Sequence, residues 1–353
     1  MPRPKTLILT LATLRQAIFG SQSKVFLSSL FSIVLLLTVL LHSCVFQQSS
    51  PTKSLRIGIS QWPGFDVALY AKEAGLFEKR NLDIEFVRFD NQQDSSRAVL
   101  RGRLDAAFVA LWDVMQVTPG NDNPVFVMVT NVSAGADGIV TQPEIKSLED
   151  LRGKQVGVKL GTVNHLILLE ALKKHQIEPT ALQVKDVSNE TSAQLMAKGE
   201  IDGAVLWEPL LGETAKNIGG NIAYTTRELD SLVIDGLMSS SSIVNEKQEE
   251  FTQFILAWFD LMHVLSVNPD EVYELVSQQL DQNSDDFAKD YAGLDKGDIE
   301  MNRQMFKTNG RLQEAVESMT KLLREDPRHG RIIREDIQIN PESVNAAIEA
   351  WKL

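Results

Sequence analysis

The chain has 353 residues, and its 43% apolar and 23% charged residues are the composition of a folded protein rather than of a disordered one. At this length we expect two domains of ordinary size, each with a buried core. Acidic residues outnumber basic ones by 47 to 35, which gives a net charge of −12. A surface of that sign repels phosphate, so nucleic acid is excluded as a partner.

The first 44 residues resemble a bacterial export signal. They contain basic residues and no acidic residue, and an apolar run from Val25 to Leu41 precedes the sequence Leu-His-Ser-Cys at 41–44. This ending is similar to a lipobox, so residues 1–44 are predicted to be a lipoprotein signal with Cys44 as the lipidated residue. His42 departs from the usual pattern, and an uncleaved membrane anchor is the alternative. Both interpretations place the rest of the chain outside the cytoplasmic membrane.

Cys44 is the only cysteine of the chain. We therefore expect no internal disulfide, no cysteine metal cluster and no cysteine nucleophile in the folded part. Residues 45–54 are mostly polar and are predicted to form a tether between the lipid and the folded part.

The folded part begins with an alternating strand at 56–60, which leads into Trp-Pro-Gly-Phe at 62–65 and then a helix over about 66–78. Proline and glycine predict a tight bend between the strand and the helix. Two large aromatic side chains in such a bend either pack as a lid or contact a ligand.

Strands and helices alternate along the next part of the chain. The predicted strands are 82–89, 105–110, 155–159, 182–187 and 202–207, and the predicted helices are about 93–101, 163–175 and 190–198. This alternation predicts parallel strands with right-handed connections. Ligands of such sheets bind at the carboxyl ends of the strands, where segment 62–65 lies.

Two segments of the chain match each other. Arg-Gly-Arg-Leu-Asp at 101–105 and Lys-Gly-Glu-Ile-Asp at 198–202 are each followed by apolar residues and a Leu-Trp-acid sequence. Their glycines are 97 residues apart, and the glycines of the preceding strands, Gly58 and Gly157, are 99 residues apart. The repeat predicts two α/β lobes of similar build. Asp105 and Asp202 also repeat, but they enter strands far from the crevice, so we expect a capping or turn role rather than catalysis.

The C-terminal third is predicted to be helical. Residues 245–265, 268–280 and 340–353 have apolar residues at helical spacing, and we expect them to pack on the first lobe. Trp258 and Trp351 fall on the apolar faces, which indicates core positions rather than ligand contacts.

With these elements in order, the chain from about Leu55 to Leu353 resembles the periplasmic solute-binding proteins of ABC importers, in the nitrate/sulfonate/taurine-type family. Segments 62–77, 131–165 and 206–209 carry the resemblance. It implies an α/β fold of the type II periplasmic binding protein class, with two lobes that are each a mostly parallel sheet flanked by helices. The implied lobes are 55–137 with 237–353, and 138–236. Gly138 and Gly236 stand at the implied crossings and are the predicted hinge residues.

The predicted ligand contacts follow the ends of strands. The first N–H groups of the helix after Gly161 and Thr162 form a candidate anion site. We expect Trp62 in the cleft, whereas Trp112 and Trp207 suit the cleft and a sheet edge equally. Ser133 and Gly135 suit a ligand contact and a hinge loop equally. The full set is Trp62, Pro63, Gly64, Phe65, Leu111, Trp112, Ser133, Gly135, Gly161, Thr162, Val163, Asn164, Trp207 and Glu208.

The resemblance implies a lipoprotein that captures a small molecule and delivers it to the permease subunits of an ABC importer. It implies a monomer held by its lipid at the periplasmic face of the cytoplasmic membrane or at the cell surface. The tryptophans favour a small organic solute, sulfonate-like or nitrogenous, over nitrate or bicarbonate. Asp66, Asp113 and Glu208 keep an amine or a heterocycle open as the ligand. A membrane-tethered sensor of the same fold is the alternative role.

Catalysis has no support in the sequence. The five histidines lack metal-ligand spacing, and the chain contains neither a Gly-x-Ser-x-Gly elbow nor a phosphate-binding glycine-rich loop. A thiamine-pyrimidine synthase of this fold class would need a cysteine-rich motif and clustered histidines. We therefore expect no enzyme activity, no metal and no cofactor.

Overall fold

The computed structural model describes residues 53–118, 120, 122–229, 232–325 and 334–352. The predicted signal, Cys44 and most of the predicted tether lie outside these residues. Within the described ranges, no helix is both long enough and apolar enough to cross a bilayer.

Twelve strands and thirteen helices, besides short 3-10 turns, form the described part of the chain. The strands are β1 (Lys53–Ile59), β2 (Leu82–Arg88), β3 (Ala106–Ala110), β4 (Pro124–Ser133), β5 (Asp137–Thr141), β6 (Gln155–Val158), β7 (Gln183–Asp186), β8 (Gly203–Trp207), β9 (Asn221–Thr225), β10 (Ile234–Ser240), β11 (Leu294–Lys296) and β12 (Gln338–Ile339). The helices are α1 (Pro63–Glu73), α2 (Gln92–Leu100), α3 (Leu111–Met115), α4 (Val163–Lys174), α5 (Asn189–Ala197), α6 (Leu210–Ile218), α7 (Ser241–Glu246), α8 (Gln248–Val267), α9 (Pro269–Leu280), α10 (Ser284–Tyr291), α11 (Ile299–Met305), α12 (Arg311–Glu325) and α13 (Glu342–Ala350).

The strands form two sheets, one in each lobe. The sheet of lobe one has the order β11-β4-β10-β3-β1-β2, with β12 beside β4, and the sheet of lobe two has the order β7-β6-β8-β5-β9. The strands predicted from the repeat pair in parallel, β1 with β2 and β3, and β6 with β7 and β8. β10 and β5 are antiparallel to their neighbours. Each of these two strands is the one by which the chain enters its lobe from the other.

The chain crosses between the lobes through residues 134–136, which join β4 to β5, and again between β9 and β10, where the structure describes residues 226–229 and 232–233. The crossings predicted at Gly138 and Gly236 are therefore displaced, since both glycines lie inside strands. A Cβ atom at Gly138 would lie 2.5 Å from the carbonyl oxygen of Tyr224, and one at Gly236 would lie 2.4 Å from that of Met128. Their missing side chains allow neighbouring strands to pack closely.

The predicted repeat is present in the hydrogen bonding of both lobes. The backbone N–H of Arg56 donates to Asp105 Oδ2 at 2.7 Å, and the backbone N–H of Gln155 donates to Asp202 Oδ2 at 2.8 Å. Each aspartate thus joins the start of its own strand to the neighbouring parallel strand, at the middle of β1 and at the first residue of β6. Both side chains serve the framework, but through a bond between strands rather than the predicted cap or turn.

The C-terminal helices pack against lobe one. Trp258 of α8 is fully buried, and its ring nitrogen donates to the carbonyl oxygen of Gly297 at 2.9 Å. Trp351, after α13, packs edge-on against Phe259 and donates to Asp260 Oδ1 at 3.0 Å. Both tryptophans hold helices together, as their sequence pattern predicts.

The predicted bend at 62–65 is the start of a helix. Trp62 is the extended N-cap residue of α1, and Pro63 occupies the first helical position, which suits a residue without an N–H group. The helix begins three residues earlier than predicted and ends at Glu73. The consequence is that Trp62 and Phe65 point in directions fixed by the helix, rather than lying in a free turn.

Candidate ligand-binding cleft

A cavity lies between the two lobes at the carboxyl ends of their parallel strands. Its empty volume is about 260 Å³, but this figure includes open solvent at the mouth, and the enclosed space has room for about one water molecule. Its lining residues are Gln61, Trp62 and Gln92 from lobe one, Asp137, Val163 and Trp207 from lobe two, and Val233 and Asp235 from the second crossing and the start of β10.

Trp62 is held in the wall of the cavity by groups of lobe one. Its backbone N–H donates to Asp66 Oδ2 at 3.1 Å, and its ring nitrogen donates to Asn131 Oδ1 at 3.3 Å. Gly64 permits this approach, because a Cβ atom there would lie 1.7 Å from Asn131 Oδ1. Asp66 also forms an ion pair with Arg88 at 3.1 Å. Trp62 is therefore oriented before any ligand arrives.

Asp235 continues the hydrogen-bonded chain that begins at Trp62. Asn131 Nδ2 donates to Asp235 Oδ2 at 2.5 Å. Asp235 is 3% exposed, and burial, followed by the nearby carboxyl of Asp137, raises its pKa well above the ordinary value. A buried carboxyl group of lobe one thus faces the cavity beside the Trp62 ring.

Asp137 is the corresponding residue of lobe two. It begins β5, lies opposite Trp207 in the sheet, and is 1% exposed. Burial raises its pKa to about 7, although a hydrogen bond with Ser133 acts in the opposite direction. Its Oδ2 atom has no hydrogen-bond partner within the described residues. An unpaired polar atom of this kind is costly unless a ligand or water completes it.

The candidate anion site at the start of α4 is occupied by a side chain of the protein itself. The Asp113 carboxyl of lobe one lies close to the backbone N–H of Val163, the first residue of α4 in lobe two, and this contact acts to lower its pKa. Burial raises the pKa of Asp113 to about 7, and the nearby Asp137 adds to the rise. The Thr162 hydroxyl donates to the carbonyl oxygen of Lys159 rather than capping the helix. A carboxyl group therefore stands where a ligand anion was expected.

Further contacts join the lobes near this point. Gln93 Nε2 of α2 donates to the carbonyl oxygen of Gly161 at 2.6 Å. The fully buried ring of Trp112 packs edge-on against His165 of α4, with ring centres 6.2 Å apart. The cleft is thus closed on the side of α3 and α4, and Trp112 belongs to this interlobe contact rather than to the cavity wall.

Three of the predicted ligand contacts, Trp62, Val163 and Trp207, line the cavity. Pro63 and Gly64 form the first turn of α1, where they position Trp62. Phe65 is a correction, because it is fully buried and stacks on Phe108 at 5.3 Å inside lobe one. Its place at helical spacing directs it into the core of that lobe.

The other predicted contacts serve the framework. The Ser133 hydroxyl and the Gly135 N–H are hydrogen-bonded to Thr226 Oγ1 at the crossings. Leu111 is fully buried, and Asn164 donates to Asn189 and to the Val205 carbonyl oxygen within lobe two. These residues do not line the cavity, and their contacts lie at the crossings or within one lobe, although Asn164 Oδ1 has no hydrogen-bond partner within the described residues.

Glu208 follows Trp207 and contributes to an acidic region beside the cavity. Its Oε2 atom accepts the Gly212 N–H at 2.9 Å, and burial raises its pKa to about 7, with smaller contributions from Asp137 and Glu213. Asp290 of α10 also has its pKa raised to about 7, by burial and then by Glu208. No basic side chain lines the cavity, and no three of the His, Cys, Asp and Glu residues are grouped to hold a metal ion, as far as the described residues extend.

Gln61, Gln92, Asp137, Val233 and Asp235 line the cavity and were not among the predicted contacts. A signal for the two aspartates was present, since each precedes a glycine and an apolar residue at a crossing, as Asp-Gly-Ile at 137–139 and Asp-Gly-Leu at 235–237. Gln61 and Gln92 carry no comparable signal.

The comparison with known proteins agrees with this architecture. A putative binding protein of Brucella abortus (strain 2308) is 26% identical over 233 residues, which cover 64% of this chain and 71% of the relative. The alkanesulfonate-binding protein SsuA of Xanthomonas axonopodis pv. citri, solved with MOPS, superposes with a TM-score of 0.65 at 15% identity and covers 83% of this chain and 100% of its own.

The same fold also occurs in an enzyme. The desulfurization enzyme DSZB superposes with a TM-score of 0.57 at 14% identity, over 84% of this chain and 99% of its own. At such identities the likeness establishes the fold alone, which does not fix the function. The sequence profile of the NMT1-like family matches residues 48–278. The chain therefore belongs to the NMT1-like family and has the periplasmic binding protein fold.

Proposed function

We propose that this chain is an extracytoplasmic solute-binding lipoprotein that captures a small organic solute between its lobes and delivers it to the permease subunits of an ABC importer. The observation that carries the proposal is the interlobe cavity, which is lined by a tryptophan from each lobe together with a few polar side chains. A cavity of this composition suits a small molecule with a flat or apolar body and a polar end. Its placement on two lobes joined by two crossings suits closure around the solute.

The first test is a thermal-shift panel of small solutes on the full-length chain in detergent. A bound ligand at about 100 times its dissociation constant stabilises the folded protein by about 2.7 kcal/mol, which is visible as a raised melting temperature. The panel contains sulfonates, amines, nitrogen heterocycles, nitrate and bicarbonate. If no compound of any class raises the melting temperature, the solute-binding proposal is contradicted.

Titration calorimetry with Trp62→Ala then tests the site. We expect binding of the active compound to weaken by about 1–3 kcal/mol, because the substitution removes a large apolar surface from the cavity wall. Trp351→Phe is the matched control, since Trp351 packs on Phe259 away from the cavity. Tight nitrate or bicarbonate binding that is unchanged in Trp62→Ala would contradict an organic ligand.

The lipid anchor is tested separately. Cys44→Ser is expected to leave an unprocessed precursor without a labelled acyl chain, because the cysteine sulfur is the atom to which the lipid would be attached. A mutant that still migrates as a mature, labelled lipoprotein would show that Cys44 is not the anchor. Co-purification with permease subunits distinguishes an importer component from a tethered sensor.

A further inference from the structure

We propose that the cleft selects an organic cation, a small solute whose protonated nitrogen lies between Asp137 and Asp235 with its body between Trp62 and Trp207. This inference rests on the proposed function and names the chemical class of the solute. An organic cation has the opposite charge to an alkanesulfonate, the ligand class in the name of the structural neighbour SsuA. Four observations on this chain lead to it.

The first observation is the unpaired atom at the cavity wall. Asp137 is 1% exposed and lines the cavity, yet its Oδ2 atom has no hydrogen-bond partner within the described residues. In its ionised form the Asp137 carboxylate accepts hydrogen bonds and does not donate them, so the partner that completes this form carries an N–H or O–H group. A protonated nitrogen supplies such a donor together with the opposite charge.

The second observation is the charge of the lining. Asp137 and Asp235 face the cavity from different lobes, and no basic side chain accompanies them among the described lining residues. A sulfonate at this position would be close to two carboxyl groups and would have no cation to pair with. A cation would be stabilised by both lobes at once, so its binding also favours the closed arrangement.

The third observation removes the usual anion site. The N–H group of Val163 at the start of α4 is one of the donors that an anionic ligand would use, and the Asp113 carboxyl already lies against it. An anionic solute would have to displace this carboxyl into a buried region that already contains Asp137 and Asp235. The Asp113 carboxyl thus occupies the position of a ligand anion, so the cleft favours a cation over an anion.

The fourth observation is the aromatic wall. Trp62 and Trp207 line the cavity from opposite lobes, and the ring of Trp62 is fixed through Asn131. Indole faces attract cations, an effect that is larger where water is removed. Two rings and two carboxyl groups together form a site for a flat or methylated ammonium, amidinium or aminopyridinium group.

The carboxyl groups give the proposal a second readout. Near neutral pH the pKa values of Asp113 and Asp137 are about 7, so part of their population is protonated, and a bound cation favours the ionised form. Binding of a cation therefore releases protons to the buffer. The titratable and charged groups around these carboxyls are Asp113, Asp137, Asp235, Glu208, Glu213, Asp286, Lys289 and Asp290, with the Asp66–Arg88 pair behind Trp62 and His165 beside Trp112.

The experiment compares two sets of probes on the full-length chain in detergent at pH 7. The cations are butylamine, benzylamine, benzamidine, 4-aminopyridine and choline, and the anions are butanesulfonate, phenylmethanesulfonate, benzenesulfonate and isethionate. We expect at least one cation to raise the melting temperature by about 3 °C or more, and the sulfonates to leave it unchanged. Stabilisation by sulfonates alone would overturn the cation proposal and leave the solute-binding function intact. The absence of a shift in both sets would count against both.

Substitutions then locate the site. Asp137→Asn and Asp235→Asn keep the shape of each side chain and are expected to weaken binding of the active cation at least tenfold. Asp202→Asn is the control, because its carboxylate bonds the Gln155 N–H at the far end of lobe two, and binding should be unchanged. Unaltered affinity in both cavity variants would overturn the proposal.

If the cavity variants fail to fold, calorimetry on the wild-type protein still tests the proposed cation site. Calorimetry of the active cation in phosphate and in Tris buffer at the same pH should give different heats, because released protons are taken up with different enthalpies. Equal heats in the two buffers would mean that no carboxyl group ionises on binding, and would contradict the proposed site.

Discussion

The two lobes are alike at the end away from the cleft and differ at the end that faces it. At the far end, Asp105 and Asp202 accept the backbone N–H groups of Arg56 and Gln155. Along the first strands, a Cβ atom on Gly58 would lie 2.9 Å from Ser95 Cβ, and one on Gly157 would lie 2.7 Å from Ser192 Oγ. In both lobes the first strand is thus pressed against its second helix. The far end is a scaffold that tolerates few changes, and the cleft end carries the differences on which recognition depends.

The tryptophans show how the lobes diverge. β3 and β8 are five residues long and pair equivalently with β1 and β6, so Ala110 and Trp207 are corresponding last residues. The Leu-Trp-acid sequence is therefore displaced by two positions in lobe two. Trp207 ends a strand and lines the cavity, whereas Trp112 lies in α3 and is buried between the lobes. Because the Leu-Trp-acid sequence lies two positions earlier relative to the strand in lobe two, its tryptophan has a different environment in each lobe.

The largest expected effect concerns the pH dependence of stability at the cleft end. Burial raises the pKa values of Asp113, Asp137 and Glu208 from 3.8 or 4.5 to about 7. Between about pH 4 and 7 the folded protein therefore binds more protons than the unfolded chain, and the free energy of unfolding falls as the pH rises. One such carboxyl corresponds to about 2 kcal/mol between pH 5 and 7. Urea unfolding of the full-length protein at several pH values measures this decrease.

A pair of variants assigns the slope to the cavity. Asp137→Asn should reduce the dependence on pH, because the amide does not titrate. Val233→Ala, which also alters a cavity-lining residue, should leave the dependence as it is. Stability that increases between pH 5 and 7 in the wild-type protein would contradict buried, unpaired carboxyl groups.

The next effect tests whether the two entering strands are equivalent. Gly138→Ala and Gly236→Ala each place a Cβ atom within 2.5 Å of a neighbouring carbonyl oxygen, and we expect each to reduce the free energy of unfolding by about 1–3 kcal/mol. Thermal or urea unfolding provides the measurement. Gly120→Ala, where the new atom meets nothing within 4 Å, should change stability by less than about 0.5 kcal/mol. If neither Gly138→Ala nor Gly236→Ala changed the free energy of unfolding, the neighbouring strands would be able to move apart at these positions, as a hinge would require.

A smaller effect compares the paired acids of the far end. Asp105 accepts the Arg56 N–H and lies 2.8 Å from Lys247, whereas Asp202 accepts the Gln155 N–H and lies 3.7 Å from Lys154. Asp105→Ala should cost about 1–2 kcal/mol of unfolding free energy, and Asp202→Ala should cost less, because its carboxylate is more exposed and its cation is farther away. Equal costs would indicate that the backbone hydrogen bond alone matters.

The smallest expected change is in overall size. Small-angle scattering with the active compound of the solute panel should give a smaller radius of gyration than without it, because the ligand adds contacts between the lobes at Trp62 and Trp207. Gly135→Ala, which alters a crossing residue with a φ of +133°, should change this response. A radius that is the same with and without ligand would contradict closure of one lobe on the other.

Much of the scaffold is determined by local sequence. The alternation of strands and helices depends on residues within one strand–helix–strand unit, and the paired glycines and aspartates recur at a spacing that is visible in the chain. The repeat extends this information to the second lobe. The core position of Trp258 also follows from helical periodicity, because a helix buries the face on which its apolar residues fall.

The composition of the cleft was decided only by the tertiary structure. Asp137 and Asp235 are 98 residues apart in the chain and line one cavity because β5 and β10 enter the two lobes side by side. Asp113 of lobe one lies against the N–H group at the start of α4 in lobe two, which no local pattern predicts. Phe65 follows its helix into the core instead of the cleft. Local spacing fixes which face a residue takes within its own element, but the groups that meet between two lobes depend on long-range packing, and this packing determines the charge presented to a ligand.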